Sequence, residues 1–184
     1  MKYEPIVSDT YYHIFNQGNN SENIFIEEKN YAYFLKLVHK YLLEVCYVYA
    51  YCLLKNHFHL VIKTKEEIAD KKISQKLSHL FNSYAQAINK SYARTGSLFR
   101  DRFKRKKIND EKYLRQLIIY THLNPQKHKI ISDFRNYKHS SYLSYLSTAY
   151  TKLDRDFILE LFGGVSNFEN AHLIKKEYIE ITVE

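Results

Sequence analysis

Two histidines flanking one bulky apolar residue, His57-Phe58-His59, open a run (Leu60-Val61-Ile62) that reads as a buried strand. Side chains alternate faces along a strand, so both imidazoles point one way and Phe58 the other. Neighbouring imidazoles are half of a divalent-metal site. A second group of residues suggests the other half: Tyr113, Gln116, Tyr120 and Asn124 recur at steps of three and four and so share one helical face. A helix laid across the free face of a sheet would bring the Tyr120 phenol and the Asn124 amide oxygen to the histidines. A phenol, with a pKa of about 10, is a poor nucleophile at neutral pH. It becomes able to attack a phosphodiester when a divalent ion polarises the phosphoryl oxygens and eases departure of the leaving oxygen. The phosphotyrosine ester so formed keeps the energy of the broken bond, so a strand is rejoined without ATP. Mixed nitrogen and oxygen ligands with open positions suit Mg²⁺ or Mn²⁺, and Zn²⁺ accepts the same ligand types. Each feature also has an ordinary reading, as a strand histidine, a core tyrosine and an asparagine before a turn. Their co-occurrence in one small domain is what carries weight.

The elements that must position these groups are legible in outline. Residues 10–16 are β-rich and end at a turn, Gln17-Gly18-Asn19-Asn20. Helical spacing follows over 27–45, then strands over 47–54 and 57–63 joined by Lys55-Asn56. A second helix is expected over 73–92, broken at Thr95-Gly96, and a basic exposed or edge strand over 97–108. Asn109 or Asp110 caps a helix that Asn124-Pro125 is expected to stop. The order β-α-β-β-α-β-α predicts an α+β fold of the ferredoxin-like, split βαβ kind. This is a four-stranded antiparallel sheet with two helices on one face, leaving the other for a ligand or the last helix. Residues 126–150 read as loop with an aromatic cluster, and 154–162 and 168–180 as short helices around Gly163-Gly164. The division is a domain over 8–146 and a C-terminal helical extension over 147–184.

Charge narrows the partner. The 184-residue chain carries 28 Lys and Arg against 20 Asp and Glu, a net +8 with a pI of about 9.2. Residues 90–107 hold eight cations, including Arg94, Arg100, Arg102, Lys104 and Arg105, opposed only by Asp101, whereas 151–184 are net acidic. A basic block beside an acidic extension predicts a polyanion-binding face. The 18 Tyr and 11 Phe, mostly core, supply rings of the kind that stack on bases. No apolar run approaches the roughly 18 to 20 residues of a membrane span. Met1 to Pro5 lack a secretory apolar core. Cys46 and Cys52 read as buried thiols. The expectation is a cytoplasmic protein with no membrane partner.

Several blocks together resemble single-tyrosine transposases of the HUH superfamily, especially REP-associated tyrosine transposases (the IS200-like family). They are Tyr12-His13-Ile14-Phe15-Asn16-Gln17-Gly18-Asn19, Asn56-His57-Phe58-His59-Leu60, Arg94-Thr95-Gly96-Ser97-Leu98-Phe99-Arg100-Asp101-Arg102-Phe103-Lys104, Tyr120-Thr121-His122-Leu123-Asn124-Pro125 and Ser140-Ser141-Tyr142. They cover roughly residues 8–146 in the family's order. The resemblance implies an HUH-endonuclease fold and site-specific cleavage and joining of single-stranded DNA, often at the foot of a hairpin, by a monomer or homodimer. It implies Tyr120 as nucleophile, linked to a 5′ phosphate as a 3′ hydroxyl is released. His57 and His59 are implied as metal ligands, Asn124 as the third, where relatives place Gln or Glu, and His122, which relatives often share, as a residue next to the ligands; its ordinary reading is a surface or capping histidine. Departures are Lys55 for Pro, Gln17 for Arg, and Gln126-Lys127-His128-Lys129 in place of a small apolar stretch.

The basic block is expected to hold a DNA backbone or hairpin stem. On an unbroken strand Arg100, Arg102 and Lys104 share one face, and Phe99 and Phe103 the other with Asp101. Two other functions compete with the transposase-type reaction. One is a non-catalytic single-strand-binding module that reads bases on exposed sheet aromatics. The other is a phosphoesterase using the histidines as acid and base.

Overall fold

The computed structural model describes residues 5–175. The first strand, β1 (Tyr11–Gln17), leads through a 3-10 turn at Asn19–Ser21 into helix α1 (Glu28–Leu42). Asn30 starts this helix by accepting the N–H groups of Ile26 and Glu27 at 3.0 and 2.8 Å. Strands β2 (Cys46–Leu54) and β3 (His57–Thr64) form a hairpin around Lys55-Asn56, and helix α2 (Asp70–Ser91) follows. Next come β4 (Lys104–Ile108), α3 (Glu111–Lys127), α4 (Tyr142–Leu146), α5 (Arg155–Phe162) and α6 (Val165–Lys175). The sheet order is β2-β3-β1-β4 with every neighbour antiparallel, the predicted split βαβ arrangement. Residues 176–180 of the last expected helix lie outside the described residues. Cys46 and Cys52 are buried and unpaired.

Strand alternation divides the molecule into layers. Ile14, Phe58, Leu60 and Ile62 face one way and pack with Phe34, Leu77, Phe81 and Tyr84 of α1 and α2. Val61 faces the other way with Tyr49 and joins a second core built from Leu117, Ile118, Tyr145, Ile158 and Phe168. The sheet face left open in the sequence reading is therefore covered by α3, with α4 and α5 also meeting β2 through Tyr145 and Phe157 on Tyr49 and α6 packed against α3.

Three expectations need correction. Pro125 does not stop α3, which runs on to Lys127. An interior proline costs roughly 3 kcal/mol, since it lacks an N–H and crowds the preceding turn. Leu117, Ile118, Ile119 and Leu123 are all buried, and each contributes on the order of 1.5–3 kcal/mol, so packing outweighs the break. The turn re-forms at once, with the His128 N–H donating to Asn124 O at 2.9 Å. The basic segment, in turn, is not one strand over 97–108. Only 104–108 pair with β1, preceded by irregular chain with an isolated bridge from Phe99 to Gly18, and the predicted alternation fails at that irregularity. Residues 126–150, expected as loop, also hold a 3-10 turn at Phe134–Asn136 and helix α4.

Candidate functional site

The register of β1 against β3 sets Phe15 opposite His59 and His13 opposite Val61. Three aromatic side chains thereby meet on the α3 side of the sheet: His13 stacks on Phe15 at 4.6 Å and on His59 at 5.1 Å between ring centroids. His13 Nε2 lies 2.9 Å from His59 Nδ1, so one donates and the other accepts. His57 Nδ1 lies 2.8 Å from Asn56 Oδ1. An amide oxygen only accepts, so Nδ1 of His57 carries the proton and Nε2 keeps its lone pair. Asn56, at the hairpin turn, thus orients the first histidine of the pair.

Helix α3 delivers the remaining groups. The Asp110 carboxylate caps its start by accepting the Tyr113 N–H at 2.7 Å. The Tyr120 ring stands edge-on to His59, centroids 5.7 Å apart, and is 1% exposed. One turn on, Asn124 donates Nδ2–H to Tyr120 O at 2.9 Å. This bond settles which end of the amide points away from the helix, and it is the oxygen. Buried Asn124 Oδ1 and buried His59 Nε2 have no hydrogen-bond partner among the described residues. Buried polar atoms without partners are costly and call for an explanation.

A cation reached by both atoms would supply that explanation. It requires His59 to donate through Nδ1 to His13, which turns the lone pair of His59 Nε2 toward the metal. It also requires unprotonated imidazoles. Burial, reinforced by neighbouring His13, His57, His128 and Lys127, holds His59 well below its ordinary pKa. Burial and His128 lower His57 to about 4, and burial and Lys106 lower His13 to about 3. The donor set, two imidazole nitrogens and one amide oxygen, therefore fits a divalent ion that keeps open positions. No cluster of three or more His, Cys, Asp or Glu suited to a metal occurs among the described residues, so a site here depends on the asparagine.

His13 was not among the residues singled out for chemistry, because its role exists only through the β1–β3 register. Its one signal in the sequence is a histidine within an otherwise aromatic and aliphatic strand. His128 and Lys127 also approach the site. The His128 ring meets His57 at 4.8 Å, one further turn along the face of Tyr120 and Asn124. The Lys127 ammonium lies 4.9 Å from the centre of the Tyr120 ring. His122 points to the opposite side of α3, into the second core.

The basic residues separate. Lys104 and Lys106 share the histidine face, with Lys104 over the Phe15 ring at 5.7 Å. Arg105 faces the α2 side, over Phe103 at 5.3 Å. It lines an open groove of about 880 Å³ with Arg100, Arg102, Asn82, Gln86 and Asn89. Arg94 is engaged elsewhere, in an ion pair with Glu22 at 2.5 Å.

A sheet of this order, with two helices on one face, is the ferredoxin-like, split βαβ fold, and here the other face carries an imidazole pair. Among solved structures the chain is similar to a REP-associated tyrosine transposase bound to a REP hairpin, with TM-score 0.64 and 17% identity over 83% of this chain and 88% of that one. A candidate transposase from Deinococcus radiodurans is similar at TM-score 0.42 and 11% identity, over 66% and 98%. No protein-family profile matches the chain, and no curated protein does.

Proposed function

We propose that this protein cleaves and rejoins single-stranded DNA, in the manner of a transposase, with Tyr120 as the nucleophile. The reading is carried by one observation: the phenol-bearing ring stands edge-on to His59 at 5.7 Å, beside an imidazole nitrogen and an amide oxygen left without partners. A divalent ion such as Mg²⁺ or Mn²⁺, held by His57, His59 and Asn124, would supply charge neutralisation at the phosphoryl oxygens. The chain's own residues do the rest. Asn56 and His13 hold the two imidazoles in the required tautomers, and α3 holds the phenol against them. The Tyr120 oxygen bonds to phosphorus as the P–O3′ bond breaks. The phenol gives up its proton, and the departing 3′ oxygen takes one up. Lys127 and His128 are exposed at this end of α3, and the strand enters past them. Lys104 and Lys106 flank the path and attract phosphate.

The substrate we infer is a hairpin-forming single strand. The basic groove around Arg100, Arg102 and Arg105 supports it, as does the fold shared with a chain bound to a REP hairpin. The two competing readings fit less well. Helix α3 covers the sheet face on which a single-strand-binding module would stack bases, and histidines held neutral by burial are poor general acids. The deciding experiment incubates the protein with end-labelled hairpin DNA and Mn²⁺. A denaturation-resistant protein–DNA adduct is expected in the wild type. It should be lost with chelator, and lost in Tyr120→Phe while binding persists. Persistence of the adduct in Tyr120→Phe removes Tyr120 from the reaction.

A further inference from the structure

Helix α6 reaches the back of α3 through an unbroken buried chain of polar side chains. His172 Nδ1 lies 2.7 Å from Phe168 O, and His122 Nδ1 lies 2.9 Å from His172 Nε2. His122 Nε2 lies 2.8 Å from Ser141 Oγ, and the Tyr51 N–H donates to Ser141 Oγ at 2.9 Å. His122, His172 and Ser141 are all fully buried, walled by the rings of Phe134, Tyr142, Tyr145, Phe162 and Phe168.

The polarity of this chain follows from its end. A carbonyl oxygen only accepts, so His172 Nδ1 carries the proton. In a neutral ring Nε2 must then accept, which makes His122 Nδ1 the donor. His122 Nε2 accepts in turn, and the Ser141 hydroxyl donates to it. Every link has a donor and an acceptor, and reversing any one leaves two like groups facing each other in the core. The position of His122 gives the chain its significance. Residues 120 and 124 lie on one side of α3, and residue 122, two positions from each, lies on the other. The chain therefore grips the back of the one turn whose front presents Tyr120 and Asn124.

We propose that His172 and His122 are positioning residues for the DNA-cleaving site. By fixing the His122 Nδ1–H tautomer, α6 sets the depth of the Tyr120–Asn124 turn over the sheet, and the C-terminal extension works as a strut of the site. This rests on the reading of Tyr120 as a nucleophile. Ser141, bonded to the backbone of β2, ties the far end of the strut to the same sheet that carries the histidine pair.

The full chain tests this in two independent ways. Imidazole ¹⁵N NMR of the wild type should show His122 as the Nδ1–H tautomer and His172 likewise. An Nε2–H tautomer at His122 overturns the proposal without touching the role of Tyr120. In kinetics, H172L keeps the bulk and removes the acceptor. At saturating hairpin DNA and Mn²⁺ its adduct-forming rate should fall roughly 10- to 100-fold, with hairpin affinity within about twofold of wild type. H172Q, whose amide oxygen replaces the lost acceptor, should recover most of that rate and retain the His122 tautomer. A folded H172L that forms adduct at the wild-type rate overturns the proposal. Should H172L fail to fold, Ser141→Ala, which removes the donor to His122 together with the contacts to the Tyr51 backbone, replaces it with the same expected loss of rate and the same overturning result. A wild-type protein that never forms adduct removes the reaction itself, and the positioning role with it.

Discussion

At the scale of single residues, the site is a problem in hydrogen-bond accounting. His57 has its Nδ1 proton taken by Asn56, and His59 shares a hydrogen bond with His13. Asn124 spends its donor on its own helix. What remains without a partner among the described residues is Asn124 Oδ1 and the outer ring nitrogen of each of His13 and His59. Asn124→Asp should sharpen this imbalance. A carboxylate in that buried position is costly without a counter-charge, so the variant should be less stable than wild type in the absence of metal. Its Tm should rise on adding Mn²⁺ by more than the wild-type Tm does. Equal Tm responses in a thermal-shift titration would place the cation elsewhere. The paired histidines were legible from alternation alone, since His57 and His59 needed only the two-residue period of a strand. His13 was not, because its partner is 46 positions away and only strand register unites them. The direction of the Asn124 amide was equally hidden, being set by one local hydrogen bond that residue spacing does not encode.

At the scale of elements, the helix that carries Tyr120 was placed correctly at its start and wrongly at its end. Asp110 caps it as its side-chain chemistry demands, but the stop expected at Pro125 yields to packing in a second core that no local pattern announces. That core brings buried histidines with it. Burial lowers His172 to about 4 and His122 well below its ordinary value. A histidine near pKa 6.5 in the unfolded chain and lower when folded makes the unfolded state bind more protons between the two values. Stability is then complete above about pH 6.5 and is lost as pH falls toward 4, by about 1.4 kcal/mol per pH unit for each such residue. Denaturant midpoints measured from pH 7 to 4 should fall along this slope, and the fall should be shallower in H172Q. Gly18 offers a second test of an element junction. A Cβ built there lies 2.0 Å from Glu22 O, and the Gly18 N–H donates to Asn56 O at 2.7 Å, beside the residue that orients His57. Gly18→Ala should cost about 1–3 kcal/mol, measured by chemical denaturation.

At the scale of the whole molecule, the basic block is divided between two surfaces separated by the thickness of the sheet. Strand alternation sends Lys104 and Lys106 to the histidine face and Arg105 to the groove along α2. The composition announced the charge, but the break before residue 104 hid how it divides. Hairpin affinity should fall steeply between 50 and 200 mM salt as counterions are released. A combined Arg100→Ala, Arg102→Ala and Arg105→Ala variant should lower the log–log salt slope by about 3 if each guanidinium meets a phosphate, measured by fluorescence anisotropy. An unchanged slope would place the nucleic acid on the other surface alone.

The strand that divides the charge also forms an outer margin of the sheet, with only β1 beside it. Unpaired backbone along such a margin invites strands from other molecules to add on. Here Lys104, Arg105, Lys106 and Lys107 occupy four of its five positions, and like charges would oppose each other in any copy that tried to dock. The same cations proposed to meet a polyanion would therefore oppose edge-to-edge association into ribbons. Neutralising them all would be expected to cost solubility before it cost the fold.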